Sequence, residues 1–171
     1  MNYLKQLAVG VAMAVCAVSV ASALDLGRKP VLSLELAEAV ANACLKHQIK
    51  TKYSPINVVV VDDGGLILVS KRQDGACKAC GEIAERKART AALFNLTTRA
   101  LETLSYGEKK DGVGAALPGA PHIQGIIVFP GGVPISVGKL PIGGVGVSGA
   151  SGDEDEQCAL AGIEGVNGLL K

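Results

Sequence analysis

The sequence predicts a mixed α/β domain of the α+β type, in which helices flank an antiparallel sheet of five strands. The first observation is the order of the segments, which runs helix, two strands, two helices, three strands and a last helix. The second is that short glycine-containing turns separate consecutive strands, so that neighbouring strands run antiparallel. Strands grouped in this way between helices favour an antiparallel sheet over a doubly wound parallel sheet.

Helices are predicted where apolar residues recur at helical spacing. The first covers residues 34–48, after Ser33 as its N-cap, and the second has an alanine-rich apolar face over residues 83–96. A short third helix spans residues 98–105. The last helix opens with the acidic residues 153–156 at its positive end and extends to residue 170.

Strands are predicted where β-branched residues cluster between turn residues. The run at 56–61 is continuous, as in a strand that is buried on both faces. The five predicted strands cover residues 56–61, 66–70, 123–129, 133–137 and 142–147. The long segment 106–121 is rich in glycine, proline and alanine, and its length favours a functional or mobile loop.

The first 23 residues have the three parts of a signal peptide. Lys5 supplies a positive charge, residues 7–20 form an apolar run, and Ala21-Ser22-Ala23 provides small residues before a cleavage site. We therefore expect a signal peptide at 1–23, a linker at 24–32, one domain at 33–171, and a periplasmic or secreted protein. An uncleaved N-terminal anchor is the alternative.

Composition argues against a nucleic-acid partner. Removal of Lys5 with the signal peptide leaves sixteen basic and sixteen acidic residues, so the processed chain has no net charge to attract a polyanion. The chain has no tryptophan and aromatic residues make up 3% of it, which argues against a platform for stacking bases.

Four cysteines follow the signal peptide. Cys77 and Cys80 are close enough in sequence for a disulfide, which an oxidising compartment favours, but a redox pair or a metal site stays open. Gly81 follows Cys80 where covalent haem attachment needs a histidine, so that use is excluded. Cys44 and Cys158 could also pair with either of them.

Two further groups are candidates for binding. Glu82 and Glu85 lie three residues apart on the second helix and could hold an iron-type cation, unless they form a solvated face paired with Arg86 and Arg89. His122 stands at the end of the long loop and could be a ligand. Neither Ser148 nor Cys80 has a third residue for a convincing catalytic triad, which favours a binding protein over an enzyme.

Four segments, in this order, resemble the GlcG/HbpS family of haem-binding proteins. The first is N-V-V-V-V-D-D-G-G at 57–65, followed by K-R-Q-D-G-A at 71–76. The others are A-E-R-K-A-R-T-A at 84–91, P-G-G-V-P-I at 130–135 and I-G-G-V-G-V-S-G at 142–149. The resemblance covers nearly all of the chain after the signal peptide, and Cys77 and Cys80 are not part of it.

The resemblance implies a profilin-like, three-layer α/β/α domain, homo-oligomers, and haem or a related tetrapyrrole as cofactor. Exported members have been linked to haem and iron sensing beside a membrane kinase, and related domains occur beside corrinoid enzymes. Lys87 and Thr90 match the helix motif of the family, in which a threonine has been implicated in haem ligation. On the hypothesis that the chain binds haem, we expect Thr90 or His122 to approach the iron and Lys87 or Arg89 to meet the propionates. Glu82 and Glu85 fit an acidic pair of the type proposed for iron.

Three hypotheses follow. The preferred one is an exported protein that binds haem or a related tetrapyrrole. The second is a non-catalytic accessory protein whose surface binds a membrane sensor or a periplasmic enzyme. The third is a thiol-redox protein that uses Cys77 and Cys80.

Overall fold

The computed structural model describes residues 27–170. The predicted signal peptide at 1–23, its cleavage site and the start of the predicted linker lie outside the described residues. Within residues 27–170, no helix is long and apolar enough to cross a membrane.

The described chain contains four α-helices and four strands, close to the predicted positions. A 3₁₀ turn, Ala120–His122, lies in the long segment between the third helix and the third strand. The elements are α1 (Leu34–Thr51), β1 (Asn57–Asp62), β2 (Ile67–Arg72), α2 (Cys80–Phe94), α3 (Thr98–Tyr106), β3 (Gly132–Val137), β4 (Leu140–Ser148) and α4 (Gly152–Glu164).

The strands form one antiparallel sheet in the order β2-β1-β4-β3. Strand β1 is central, and Val58 pairs with Lys71 of β2 on one side and with Val147 of β4 on the other. The valine run of β1 is buried on both faces of the sheet, as the sequence predicted.

The prediction of a five-stranded sheet was wrong, because residues 123–129 form no strand. The Ile126 N–H donates to the Ile123 carbonyl, and Gly125 between them has φ 83°, so the chain turns instead of extending. The Ile127 N–H then donates to Thr90 Oγ1 of α2, 3.1 Å away. The apolar residues that suggested a strand include Ile126 and Val128, which pack against Leu101 of α3 and Ala120 in a small separate core.

Helices cover both faces of the sheet, which gives three layers. On one face, Val40 and Cys44 of α1 and Cys158 of α4 join the main core. On the other face, Ala84, Ala88 and Ala92 of α2 pack against Val59 and Val61. Alternate residues of β1 therefore belong to different cores, as expected for a strand covered on both sides.

Helix α2 lies directly on the sheet because the strands beneath it carry glycines. A Cβ atom on Gly146 would overlap the Ala84 carbonyl oxygen, and one on Gly144 would overlap the Ala88 carbonyl oxygen. The alanine-rich apolar face that the sequence predicts for the second helix is therefore the face that packs against the sheet. This packing also fixes which face of α2 is left for solvent.

The helix N-termini are of two kinds. Ser33, Thr97 and Ser151 each accept a backbone N–H of the first turn that follows, in α1, α3 and α4 respectively, and Ser151 forms a full capping box with Glu154. Helix α2 has Ala79 in the capping position and no side-chain cap. Helix α4 ends at Glu164, six residues before the predicted end.

Candidate functional site

The solvent-facing side of α2 forms one wall of a cleft of about 430 Å³. The facing wall is the turn after the 3₁₀ segment. The cleft is lined by Glu82, Glu85, Arg86, Arg89, Gln124 and Gly125. Three residues singled out from the sequence, Glu82, Glu85 and Arg89, therefore line one cleft.

Both signs of charge are present in this cleft. Glu82 forms an ion pair with Arg86 one turn further along α2, and both side chains are largely exposed. A solvated pairing of this kind was the alternative to a metal site in the sequence analysis. It involves Glu82 and leaves the Glu85 carboxylate without an ion-pair partner among the described residues. Glu85 and Arg89 form no ion pair within 4 Å in the described part of the chain.

Two carboxylates are too few to enclose a cation. Among residues 27–170, no group of three or more His, Cys, Asp or Glu side chains could hold a metal ion. Glu82 and Glu85 could contribute to an iron site only with other ligands, such as water or a bound cofactor.

His122 lies close to this cleft in sequence. It is the last residue of the 3₁₀ turn, it is exposed, and Gln124 of the cleft lining follows two residues later. The turn that carries Gln124 is fixed to α2 by the hydrogen bond from Ile127 to Thr90. An exposed imidazole at such a position can bind a metal ion.

Thr90 is fully buried, and its hydroxyl is already used. Oγ1 donates to the Arg86 carbonyl at 2.7 Å and accepts the Ile127 N–H at 3.1 Å. In this arrangement Thr90 joins α2 to the turn beside the cleft. It could reach a cofactor only after that turn moved.

Lys87 lies on the opposite side of α2 from the cleft and is 1% exposed. Its ammonium donates to Asp155 Oδ2 and to the Val147 carbonyl, at 2.9 Å each, and lies 4.9 Å from the centre of the Phe129 ring. The expectation that Lys87 meets propionates therefore does not suit its position, since its charge is neutralised inside the protein.

Burial shifts the pKa of both Lys87 and Asp155. Desolvation lowers the pKa of Lys87, and the attraction of Asp155 opposes that shift. Desolvation likewise raises the pKa of Asp155, against the attraction of Lys87. Asp155 also accepts the Ala150 N–H at 3.0 Å, so the pair joins α2 to the start of α4.

The cysteines separate into two pairs. The Cα atoms of Cys77 and Cys80 lie 5.3 Å apart at the start of α2, with their sulfur atoms within bonding distance. Cys44 and Cys158 are free thiols buried between α1 and α4, where burial is the main cause that raises the pKa of both, that of Cys158 to about 12. The second pair is therefore suited to packing and not to reaction.

Sequence reasoning missed three residues. Gln124 and Gly125 were assigned to a strand, and Asp155 was interpreted only as a charge that favours the start of a helix. The turn around Gly125 had a weak signal in the glycine itself, whereas no local pattern indicates that Asp155 meets Lys87, 68 positions earlier.

Residues 32–164 match the family model described as haem degrading protein HbpS-like. The chain belongs to this family. The match includes the cleft, the Lys87–Asp155 pair and all four strands, so the resemblance drawn from the sequence motifs is confirmed.

Individual members of this family also match the chain in sequence and in structure. The chain is 36% identical to protein GlcG of Escherichia coli K12 over 120 residues, which is 70% of this chain and 83% of that protein. It also resembles the crystal structure of a double mutant of Streptomyces reticuli HbpS, with a TM-score of 0.73 and 33% identity over 93% of this chain and 97% of the other.

One solved relative contains haem. The crystal structure of a PduOC:haem complex matches with a TM-score of 0.69 and 25% identity, covering 81% of this chain and 96% of the other. The fold of this family therefore includes at least one domain that has been crystallised with haem.

Proposed function

We propose that this protein binds haem or a related tetrapyrrole in the cleft between α2 and the turn that carries Gln124 and Gly125. The observation that carries the proposal is that this cleft gathers Glu82, Glu85 and Arg89, three residues singled out from the sequence, in a chain of the HbpS-like family. The PduOC:haem complex supports it from a related domain.

The arginines suit the acidic edge of the ring. Arg89 is half-buried, has no ion-pair partner within 4 Å among the described carboxylates, and can form paired hydrogen bonds with a propionate. Arg86 can do the same only by leaving Glu82. We therefore assign the principal propionate contact to Arg89.

His122 suits the iron. Its side chain is exposed two residues before Gln124 of the cleft lining, and histidine is a common axial ligand of haem iron. When bound, the iron would supply ligand exchange and redox chemistry. Thr90 is the alternative, but it would first have to give up its hydrogen bond with Ile127.

Haemin titration of the purified protein, followed by absorbance, tests this proposal. We expect a shift of the Soret band that saturates at one haem per chain. His122→Ala should change the band position and weaken binding about tenfold or more, whereas His47→Ala, the only other histidine, should leave both unchanged. Arg89→Ala should weaken binding with the band unchanged, and Lys139→Ala provides the control for the loss of an exposed positive charge.

Two outcomes would contradict the proposal. An unshifted Soret band at micromolar haemin would argue against haem binding altogether. Equal effects of His122→Ala and His47→Ala would argue against this cleft as the site.

We also propose that the protein is exported, because residues 1–23 have the pattern of a cleavable signal peptide. Intact-mass analysis of the protein from the periplasm or culture medium should give a chain that starts at Leu24. Material that retains residues 1–23 would support the N-terminal anchor instead. Homo-oligomers and a role in haem or iron sensing beside a membrane sensor or periplasmic enzyme stay predictions from the family.

A further inference from the structure

The two cysteines at the start of α2 differ in accessibility. Cys77 is exposed in the loop before the helix, whereas Cys80 is the first residue of α2 and is 8% exposed. An attacking thiol from outside can therefore reach the Cys77 sulfur far more easily than the Cys80 sulfur.

The position of Cys80 favours its release as a thiolate. The N-terminus of a helix carries partial positive charge and free N–H groups, and both stabilise an anion placed there. Helix α2 has no side-chain cap that would compete for those groups, whereas α1, α3 and α4 all have one. A link between Cys77 and Cys80 would instead hold the start of α2 covalently to the preceding loop.

The loop that carries Cys77 is held in place by bonds that do not involve sulfur. The Arg72 guanidinium donates to the Ala76 carbonyl at 2.9 Å, and the Asn57 amide donates to the Cys77 carbonyl at 3.4 Å. The Cys80 N–H also donates to the Cys77 carbonyl. These bonds would keep the two sulfurs close after the S–S bond opens, so that the bond could form again.

We propose that Cys77 and Cys80 form a thiol–disulfide exchange site whose substrates are small thiols or a dithiol reductant. A thiolate attacks the Cys77 sulfur, a mixed disulfide forms at Cys77, the Cys77–Cys80 bond breaks, and Cys80 leaves as a thiolate that takes up a proton. A second thiolate then attacks the external sulfur of the mixed disulfide. The external thiols leave as their own disulfide, and Cys77 and Cys80 end as two thiols.

Reduction should also affect the cleft. Glu82 lies in the first turn of α2 and lines the cleft, so loss of the link that holds this turn should loosen part of the cleft wall. This consequence rests on the proposed function, whereas the exchange chemistry does not.

The exchange step is tested by trapping it. Cys80→Ser leaves Cys77 exposed, so incubation with oxidised glutathione should give a glutathione adduct at Cys77 within minutes. Cys77→Ser leaves only the buried Cys80 and should react at least about tenfold more slowly. Equal trapping of the two variants would overturn the assignment of Cys77 as the attacked residue.

The unmodified chain tests the proposal without substitutions. Peptide-mapped alkylation of native protein should label neither Cys77 nor Cys80 before mild reduction and both afterwards, while buried Cys44 and Cys158 stay unlabelled. Labelling of Cys77 before reduction, in protein kept oxidised by glutathione disulfide, would overturn the proposal. So would a bond that opens only when the protein unfolds.

Hydrogen exchange tests whether the link holds the first turn of α2. Reduction should increase amide exchange in residues 80–85, while the first turn of α4, held by the Ser151–Glu154 capping box, provides an internal control in the same sample. Unchanged exchange at 80–85 would show that the first turn of α2 does not depend on the link. None of these measurements involves haem, so their failure and failure of the haem proposal are distinguishable.

Discussion

The two sides of helix α2 contain the same kind of ion pair in opposite surroundings. On the inner side, Lys87 meets Asp155 with both side chains almost completely buried, and on the outer side Glu82 meets Arg86 in solvent. The buried pair has lost its hydration and depends on its partner, whereas water screens the exposed pair. The inner side therefore stabilises the fold, whereas the outer side stays exposed to solvent and lines the cleft.

The largest expected effect comes from breaking the buried pair. Lys87→Met keeps most of the side-chain volume but leaves Asp155 as an unpaired buried carboxylate, which should lower the free energy of unfolding by about 3–5 kcal/mol. Urea denaturation of variant and wild type measures this difference.

A double variant shows whether charge is the cause. Lys87→Met combined with Asp155→Asn removes both charges and keeps an acceptor for the Ala150 N–H, so it should recover much of the lost stability. A double variant as unstable as Lys87→Met alone would show that the ammonium stabilises the fold mainly through packing and its bond to the Val147 carbonyl.

The next effect tests the contact between α2 and the sheet. Gly146→Ala places a methyl group against the Ala84 carbonyl and should cost about 3 kcal/mol, at the upper end for overpacking because backbone cannot move aside easily. Gly119→Ala is the control, since φ is −83° there and nothing lies within 4 Å of the added Cβ. Similar melting temperatures for the two variants would contradict the close approach.

The exposed pair should matter much less. Glu82→Gln removes an i,i+4 pair in solvent, so we expect a change of no more than about 0.5 kcal/mol in the free energy of unfolding. If this substitution destabilised the protein as much as Lys87→Met does, the contrast between the two sides of α2 would be wrong.

The smallest effect concerns a surface pair outside α2. Lys29 forms an ion pair with Asp63 and lowers the pKa of that carboxyl. Because the pKa of Asp63 is lower in the folded protein than its unfolded value of 3.8, the ion pair stabilises the fold above pH 3.8. This stabilisation is lost as the pH falls through the pKa that Asp63 has in the folded protein.

Lys29→Ala should therefore lower stability at pH 7 by a few tenths of a kcal/mol at most, because both groups are exposed. The difference in thermal stability between the variant and wild type should shrink progressively as the pH falls below 3.8. A difference that persisted at low pH would show that Lys29 acts through its aliphatic packing and not through its charge.

Local patterns were sufficient where one short segment contains the whole signal. The valine run of β1 is buried on both sides as predicted, and the spacing of Glu82, Glu85 and Arg89 placed them on one face of α2. The prediction of a strand at residues 123–129 was wrong because a turn can also bury apolar side chains, here in a small separate core. The apolar composition of such a turn is the same as that of a short strand.

The sequence by itself determined the family, the antiparallel α+β architecture and the face of α2 that is exposed, because periodicity and motif order are local properties of the chain. Only the tertiary structure decided that Lys87 is an interior cation, that Thr90 holds a turn, and that Gln124 joins the cleft. Each of these roles depends on a partner brought close by folding, 35 to 68 positions away along the chain. A local sequence pattern carries no information on contacts between such distant positions, because burial and charge pairing are established only when the layers pack together.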